Sequence, residues 1–330
     1  MALNLKYLPL IASLLAITFP FQKAIAQLTP DNTLGAENSV VVPINSLVDQ
    51  IQGGAARGSN LFHSFSEFNI DAGRSVYFAN PATITNILTR VTGGNPSDIF
   101  GTLGVSGNAN LILINPNGIY FGPNAKLDMG GSFTATTADG VMLGDNTFFS
   151  ATDISNSSLL SIQPGALFNN ALRNHQAEIN QEGNLAVEAG QSLTLQGDQV
   201  SLSGSLTALE GKVEVLGNKV ALLDDASIDV SGGGTALIGG NYQGQGDTPT
   251  ASRTFVGSDV TINADGAVNG DGGTVVVWAD EITGFYGSIS ARGGSESGDG
   301  GLVEVSGKEN LIFRGHVDTL ATKGVSGTLL

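Results

Sequence analysis

The sequence predicts an all-β chain, wound as a parallel β-helix. Three observations carry this. Only 13% of the 330 residues are charged and 46 are glycine, against roughly 25% and 7% in ordinary soluble domains. Few long side chains and much glycine suit short strands joined by tight turns. Short apolar runs recur about every ten residues, separated by Gly, Asn or Asp, which is the spacing of all-β architecture.

The third observation is internal repetition beyond about residue 183. Gln191–Leu202 (QSLTLQGDQVSL) aligns with Gly211–Leu222 (GKVEVLGNKVAL) at an offset of 20. Leu193, Leu195, Gly197, Val200 and Leu202 fall on Val213, Val215, Gly217, Val220 and Leu222. A second repeat has an offset of 28: Gly272-Gly273, Val275, Val277, Glu281, Gly287 and Ile289 fall on Gly300-Gly301, Val303, Val305, Glu309, Gly315 and Val317. Apolar residues alternate within each unit, so one side of each strand faces inward. Such a unit is one coil of a β-helix; a propeller blade needs roughly 40 residues. A lone coil cannot offset the entropy of ordering its backbone, so neighbouring coils must support one another. At ~22 residues per coil and ~4.8 Å per rung, the rod would be about 65 Å long.

In chain order, Met1–Ala26 reads as a signal peptide: Lys6 in the n-region, Leu8–Phe21 as the apolar stretch, and Ala24-Ile25-Ala26 before cleavage at Gln27. The apolar stretch is short for the ~20 residues of a membrane anchor. Ser39–Ile44 (SVVVPI) reads as a strand with Pro43 near its end, as an edge or capping strand has. Phe62, Phe65 and Phe68 recur at a spacing of three, which gives one face of a short helix or irregular packing over a β-helix end. Either makes them core, and His63 among them is structural rather than catalytic. Ser75–Phe78 is a short strand; Ile84–Val91 is a strand or a single helical turn. Strands follow at Ile99–Val105, Ser132–Thr137 and Val141–Leu143.

Asn108–Gly122 (NANLILINPNGIYFG) is the most informative stretch. Leu111–Ile114 is an unbroken apolar run, suited to a strand buried on both faces. Asn115-Pro116-Asn117-Gly118 is a turn: Pro116 presets φ, Asn115 can cap its own backbone, and Asn117 and Gly118 tolerate the bridge and left-handed regions. Ile119–Phe121 resumes the strand. The stretch contains no nucleophile, base or metal-ligand set.

Ile114–Ile119 (INPNGI) resembles the signature of the filamentous haemagglutinin N-terminal, or haemagglutination activity, domain, the secretion domain of two-partner secretion exoproteins. Gly53–Ile70, Asn80–Gly94 and Ile99–Leu111 look like the cyanobacterial branch of that family. The likeness is strong over roughly residues 30–150. It implies a right-handed single-stranded parallel β-helix (solenoid) with an N-terminal cap, Sec export, recognition by a cognate outer-membrane transporter of POTRA-plus-barrel form, and an adhesin role for the stem. The residues it singles out are Asn115, Pro116, Asn117, Gly118 and Ile119, with roles in turn formation and secretion competence. The family's upstream NPNL element has its nearest candidate in Asn80-Pro81-Ala82-Thr83, which departs in its second half. The expected division is 1–26 signal peptide, 27–150 secretion domain and 151–330 β-helix extension. The apolar end Val325–Leu330 reads as that of a truncated gene, a fragment, or a piece of a longer exoprotein.

Gly239–Arg253 reads as a polar loop leaving the stem, and Gly293–Gly301 as a flexible turn. Trp278, Phe285 and Tyr286 form an aromatic patch, read first as core or coil-end packing and second as carbohydrate or partner contact.

Function classes narrow by elimination. The formal net charge is −16, and without residues 1–26, which hold two lysines and no acids, it is 12 basic against 30 acidic, or −18. Nucleic acid and anionic membrane are poor partners for such a chain. There is no cysteine, which excludes disulfides and suits a chain threaded unfolded through a pore. Phosphate-loop, nucleophile-elbow and zinc-helix motifs are absent, and His63, His175 and His316 are scattered. Asp224-Asp225 is the best enzymatic candidate, for β-helix chemistry on pectin-like sugars. Asp271 and Asp299 fit turns better than calcium. The expectation is a non-enzymatic secreted adhesin with no cofactor, no insertion of the mature chain into membrane, and host-cell, glycan or matrix receptors. The alternatives are a β-helix carbohydrate-active enzyme and a purely structural surface protein.

Overall fold

The computed structural model describes residues 28–144, 147–165, 167–168 and 176–330. The expected signal peptide and His175 lie outside the described residues.

The repeats of the sequence are the rungs of the structure. Ser192–Leu202 and Lys212–Leu222 pair in parallel along their whole length at the predicted offset, Leu193 against Val213 through Leu202 against Leu222. The 28-residue repeat is equally literal: Val275 pairs with Val303, Val277 with Val305 and Ile289 with Val317. The chain is a parallel β-helix with three faces.

The first face runs upward through Asn60–Phe68, Asn86–Val91, Asn110–Ile114 and Phe133–Thr136, then Ser192–Leu202 and Lys212–Leu222. It continues through Thr235–Ile238, Thr274–Ala279, Leu302–Gly307 and Thr328–Leu329. The two long strands bend through a corner, and their second halves join the second face with Ile119–Phe121, Glu178–Gln181, Arg253–Val256, Ile282–Phe285 and Asn310–Phe313. The third face consists mostly of three-residue strands that each send one aliphatic side chain inward. Leu185, Leu206, Ile228, Ile262, Ile289 and Val317 stack there in register. One core cluster threads the interior from Ile51 to Val305. Its stacked columns are why a coil needs its neighbours.

The first face takes nine rung steps, about 43 Å at ~4.8 Å each. This is shorter than the ~65 Å expected from uniform coiling, because insertions take up residues without adding rungs. The largest runs between Phe133–Thr136 and Glu178–Gln181, two strands of the same coil. It carries an antiparallel sheet of Gly140–Met142, Phe148–Ser150 and Leu167–Phe168. This excursion lies on the outside of the first face, where Val141, Leu143 and Phe149 pack with Phe62, Leu88 and Ile114 in a second core. The buried run Leu111–Ile114 follows from it: Leu111 and Leu113 face the interior, Ile112 and Ile114 the excursion. The expected division after residue 150 falls inside this excursion.

The N-terminal cap is built from strands running against the first coil. Leu28–Pro30 pairs antiparallel with Asn60–Phe68, Ser39–Pro43 with Val48–Gly53, and Ala55–Arg57 with Asn60–Phe68. Pro43 ends its strand at the outer edge of the sheet, as expected.

Four expectations need correction. Phe62, Phe65 and Phe68 lie on neither a helix nor an irregular segment; they lie on one extended strand. Phe62 and Phe65 fall on opposite faces by ordinary alternation, and a register shift opposite Thr29 and Pro30, a β-bulge at Ser66, brings Phe68 to the face of Phe65. Phe62 faces the excursion, Phe65 and Phe68 the interior. Ile99–Val105 is two strands, Ser97–Ile99 and Thr102–Ser106, broken at a corner. The loop after Ile238 folds back on the stem: Gln243 N donates to Glu304 Oε2 at 2.8 Å, and Cβ atoms on Gly240 and Gly244 would strike the Trp278 ring. The aromatic patch is dispersed, with Trp278 under that loop, Phe285 in the interior core and Tyr286 on the outer second face. Ile84–Val91 resolves as the strand Asn86–Val91.

Candidate functional site

The turn Asn115–Gly118 forms the corner between Asn110–Ile114 and Ile119–Phe121. Asn115 is fully buried. Its Oδ1 accepts from Asn117 N at 3.0 Å, the predicted cap on its own backbone, and Gly118 N donates to Asn115 O at 3.1 Å. Its Nδ2 reaches down one coil, donating to Asn95 O at 3.1 Å and Ser97 Oγ at 2.9 Å. Asn117 Nδ2 donates to Gly93 O at 2.7 Å, and Gly118 O accepts from Ser97 N at 3.0 Å. From above, Thr136 O accepts from Asn115 N at 2.9 Å. Of the four turn residues only Gly118 takes positive φ, +124°, and a Cβ there would sit 3.2 Å from Glu178 O. Pro116 is buried, and Ile119 enters the interior core.

The Asn115 side chain is therefore spent inside the fold, and that of Asn117 is half-exposed. They clamp the corner to Gly93–Ser97 of the coil below. Asn80-Pro81 lies elsewhere, at the corner between third and first faces. There Asn80 Nδ2 donates to Pro81 O and Ile84 O, and Asn80 Oδ1 accepts from Ala109 N. Pro81 is exposed. The partner of the main turn is Asn95-Pro96, which sequence reading passed over. Its signal was present: the Asn-Pro pair of NPSDIFG recurs 20 residues later in NPNGIYFG.

Two further networks went unread. Asn60, Asn86 and Asn110 open three successive strands of the first face. Asn86 Nδ2 donates to Asn60 Oδ1 at 3.0 Å and Asn110 Nδ2 to Asn86 Oδ1 at 3.1 Å. Asn60 Nδ2 also donates to Leu160 O and Ile162 O, which ties the ladder to the excursion. The signal was the recurrence of Asn before an aliphatic residue in NLFHSF, NILTRV and NLILI.

The second network centres on Arg90, 2% exposed. Its Nε donates to Ser64 Oγ at 2.9 Å and its Nη2 to Thr33 Oγ1 at 2.8 Å, in rung and cap. Its Nη1 donates to Ser150 O at 2.6 Å and Ser157 Oγ at 2.7 Å, in the excursion, and its guanidinium lies 4.6 Å from the Phe149 ring centroid. Burial pushes the Arg90 pKa down to about 10, with Asp31 pulling it back. Asp31 accepts from Thr33, Ser64 and Thr92. Burial raises the Asp31 pKa, but these donors outweigh it and the net shift is downward.

His63 is structural in its setting. Its Nδ1 lies 3.0 Å from Ser39 Oγ of the cap, its Nε2 is buried without a partner, and its ring packs 5.2 Å from Phe78. Burial pushes its pKa down to about 3. Asp224 and Asp225 sit exposed in a corner turn, Asp224 at φ +50°. Asp271 and Asp299 form a turn-capping stack: Asp271 Oδ1 accepts from Asp299 N and Asp299 Oδ1 from Val325 N, both at 2.8 Å. Among the described residues no three His, Asp or Glu side chains converge to hold a metal. Nor is any helix there long and apolar enough to cross a membrane.

The family model described as the TPS secretion domain matches residues 26–273. A heme/hemopexin-binding protein of Haemophilus influenzae is 37% identical over 79 residues, 24% of this chain and 8% of the length of that relative. The crystal structure of the HMW1 secretion domain from Haemophilus influenzae aligns over 91% of this chain and 100% of that one, with 21% identity and a TM-score of 0.39. The filamentous hemagglutinin secretion domain aligns over 92% and 99%, with 16% identity and a TM-score of 0.44.

Proposed function

The chain belongs to the TPS secretion domain family, whose members are export domains of two-partner secretion exoproteins recognised by cognate outer-membrane transporters, and on that premise we propose that its first coils are the address read by a POTRA-plus-barrel partner while its stem acts as a surface adhesin. The family match over residues 26–273 carries the reading. We place the address within 27–150 and take the later coils as its continuation, with residues 1–26 as the Sec signal.

In this reading Asn115–Ile119 acts through folding. Both amide nitrogens are engaged with Gly93, Asn95 and Ser97, and Asn115 is buried while Asn117 is half-exposed, so in the folded state the partner meets the corner they shape and, of the two amides, only that of Asn117. In the unfolded chain the same amides are open. Asn80-Pro81 would serve a neighbouring corner in the same way. The reading is non-enzymatic, and the family match to an export domain supports it.

The test is export with the partner transporter present. Asn115→Ala and Asn117→Ala should each reduce the secreted fraction, with the unsecreted chain retained in the periplasm. Undiminished export of both would remove the turn from the mechanism.

A further inference from the structure

The outer side of the second face carries a groove of about 390 Å³ with a composition unlike the rest of the surface. Ala221, Phe255, Gly284 and Ile312 are successive register partners there. Phe255 is 42% and Ile312 38% exposed, far above what aromatic and aliphatic side chains retain in the core. Between them Gly284 has no side chain, which opens a notch one rung deep. The Phe255 and Tyr286 rings lean together over it, centroids 5.7 Å apart and tilted by 44°. A Cβ at Gly284 would touch both rings, at 3.4 and 3.5 Å.

One wall of the groove is basic. Lys219 and Arg253 are register partners on adjacent rungs, both exposed, with Gln199 beside Lys219 in the same column. The chain has only 14 basic residues against 30 acidic, so two cations side by side stand out in a negative field. Glu281 engages Arg253 through Nε at 3.1 Å, which leaves the Nη fork for a planar anion.

We propose that this groove binds a segment of acidic polysaccharide. The apolar faces of pyranose rings would stack on Phe255 and Tyr286, and a uronate carboxylate would pair with Arg253 and Lys219. A neutral apolar partner would have no use for the basic wall, and a purely ionic partner none for the aromatic notch. The strand spacing of ~4.8 Å is close to the length of a sugar residue, so successive rungs offer successive contacts. This deepens the adhesin reading and rests on it for purpose only. Binding by the purified chain does not depend on export, so failure here and failure of secretion are separate results.

The experiment is calorimetric titration of the full chain with a galacturonate hexamer, with maltohexaose as the neutral control. Binding is expected for the acidic oligomer, weakening as salt rises. Phe255→Ala and Arg253→Gln should each weaken it by roughly tenfold or more, and Val40→Ser, at an exposed site in the cap, should leave it unchanged. Unaltered far-UV dichroism and Trp278 emission establish that the variants fold. The proposal is overturned if the oligomer does not bind at millimolar concentration, if both groove variants bind as well as the parent, or if the neutral hexamer binds equally. It is also overturned if Phe255→Ala abolishes self-association of the chain, because the groove would then serve a second copy.

Discussion

Arg90→Met tests whether cap, stem and excursion are held by one side chain. Methionine keeps an apolar stem of similar length and removes the guanidinium. Four donated hydrogen bonds of 2.6–2.9 Å disappear, along with the contact to the Phe149 ring. Hydrogen bonds from a charged donor are worth roughly 1.5–3 kcal/mol each but do not add. Breaking a buried charged cluster by removing one member costs about 3–5 kcal/mol, and a desolvated cation–π contact supplies about 1 of that. The expected loss is therefore about 4 kcal/mol at pH 7, where Arg90, with a pKa of about 10, is fully charged. Arg90→Lys should recover less than half, because one ammonium cannot serve acceptors in three separate segments. Urea unfolding followed by far-UV dichroism measures the loss, and limited proteolysis reads the release of residues 137–177. A cost below about 1 kcal/mol, or full recovery by lysine, would refute the fork as the latch. Trp278, the single tryptophan, lies six rungs above and reports whether the far coils unfold with the near ones.

Three further outcomes follow from the geometry. Asn115→Ala should cost about 2–3 kcal/mol in urea unfolding, because Asn95 O and Ser97 Oγ lose a buried donor, and Asn117→Ala about 1, because its site is half open. His63, with its pKa pushed down to about 3 from 6.5, binds its proton more readily in the unfolded chain; stability should therefore rise with pH between about 3 and 6.5, and His63→Leu should flatten that slope in unfolding measured across the window. Gly211→Ala should cost at least about 2 kcal/mol, because its Cβ would fall 2.0 Å from Gln191 O on the coil below; an unchanged midpoint would mean the rungs are looser than drawn.

The stem was legible in the sequence where the same residue type returns at the same rung position. Leu193–Leu202 and Lys212–Leu222 announced their pairing because strand alternation and the glycines Gly197 and Gly217 repeat together. The excursion was not legible, because its apolar residues answer strands distant in sequence and carry no period of their own. Phe62, Phe65 and Phe68 misled because a bulge shifts strand parity by one, which imitates a helical spacing. Of the turn, Asn115's self-cap could be read locally. Its partner corner at Asn95–Ser97 left one trace, the Asn-Pro pair repeated 20 residues apart, because nothing within one strand says which corner lies beneath it. Arg90 was invisible for the same reason: one charged residue in NILTRV gives no sign that it is buried between three segments.

The reversed strands at the head of the molecule make the stack polar. A filament that elongates by laying each layer on the last has two ends, and here one of them is already occupied by chain running the wrong way. From that end the described layers stack parallel in one direction only, toward the C-terminus.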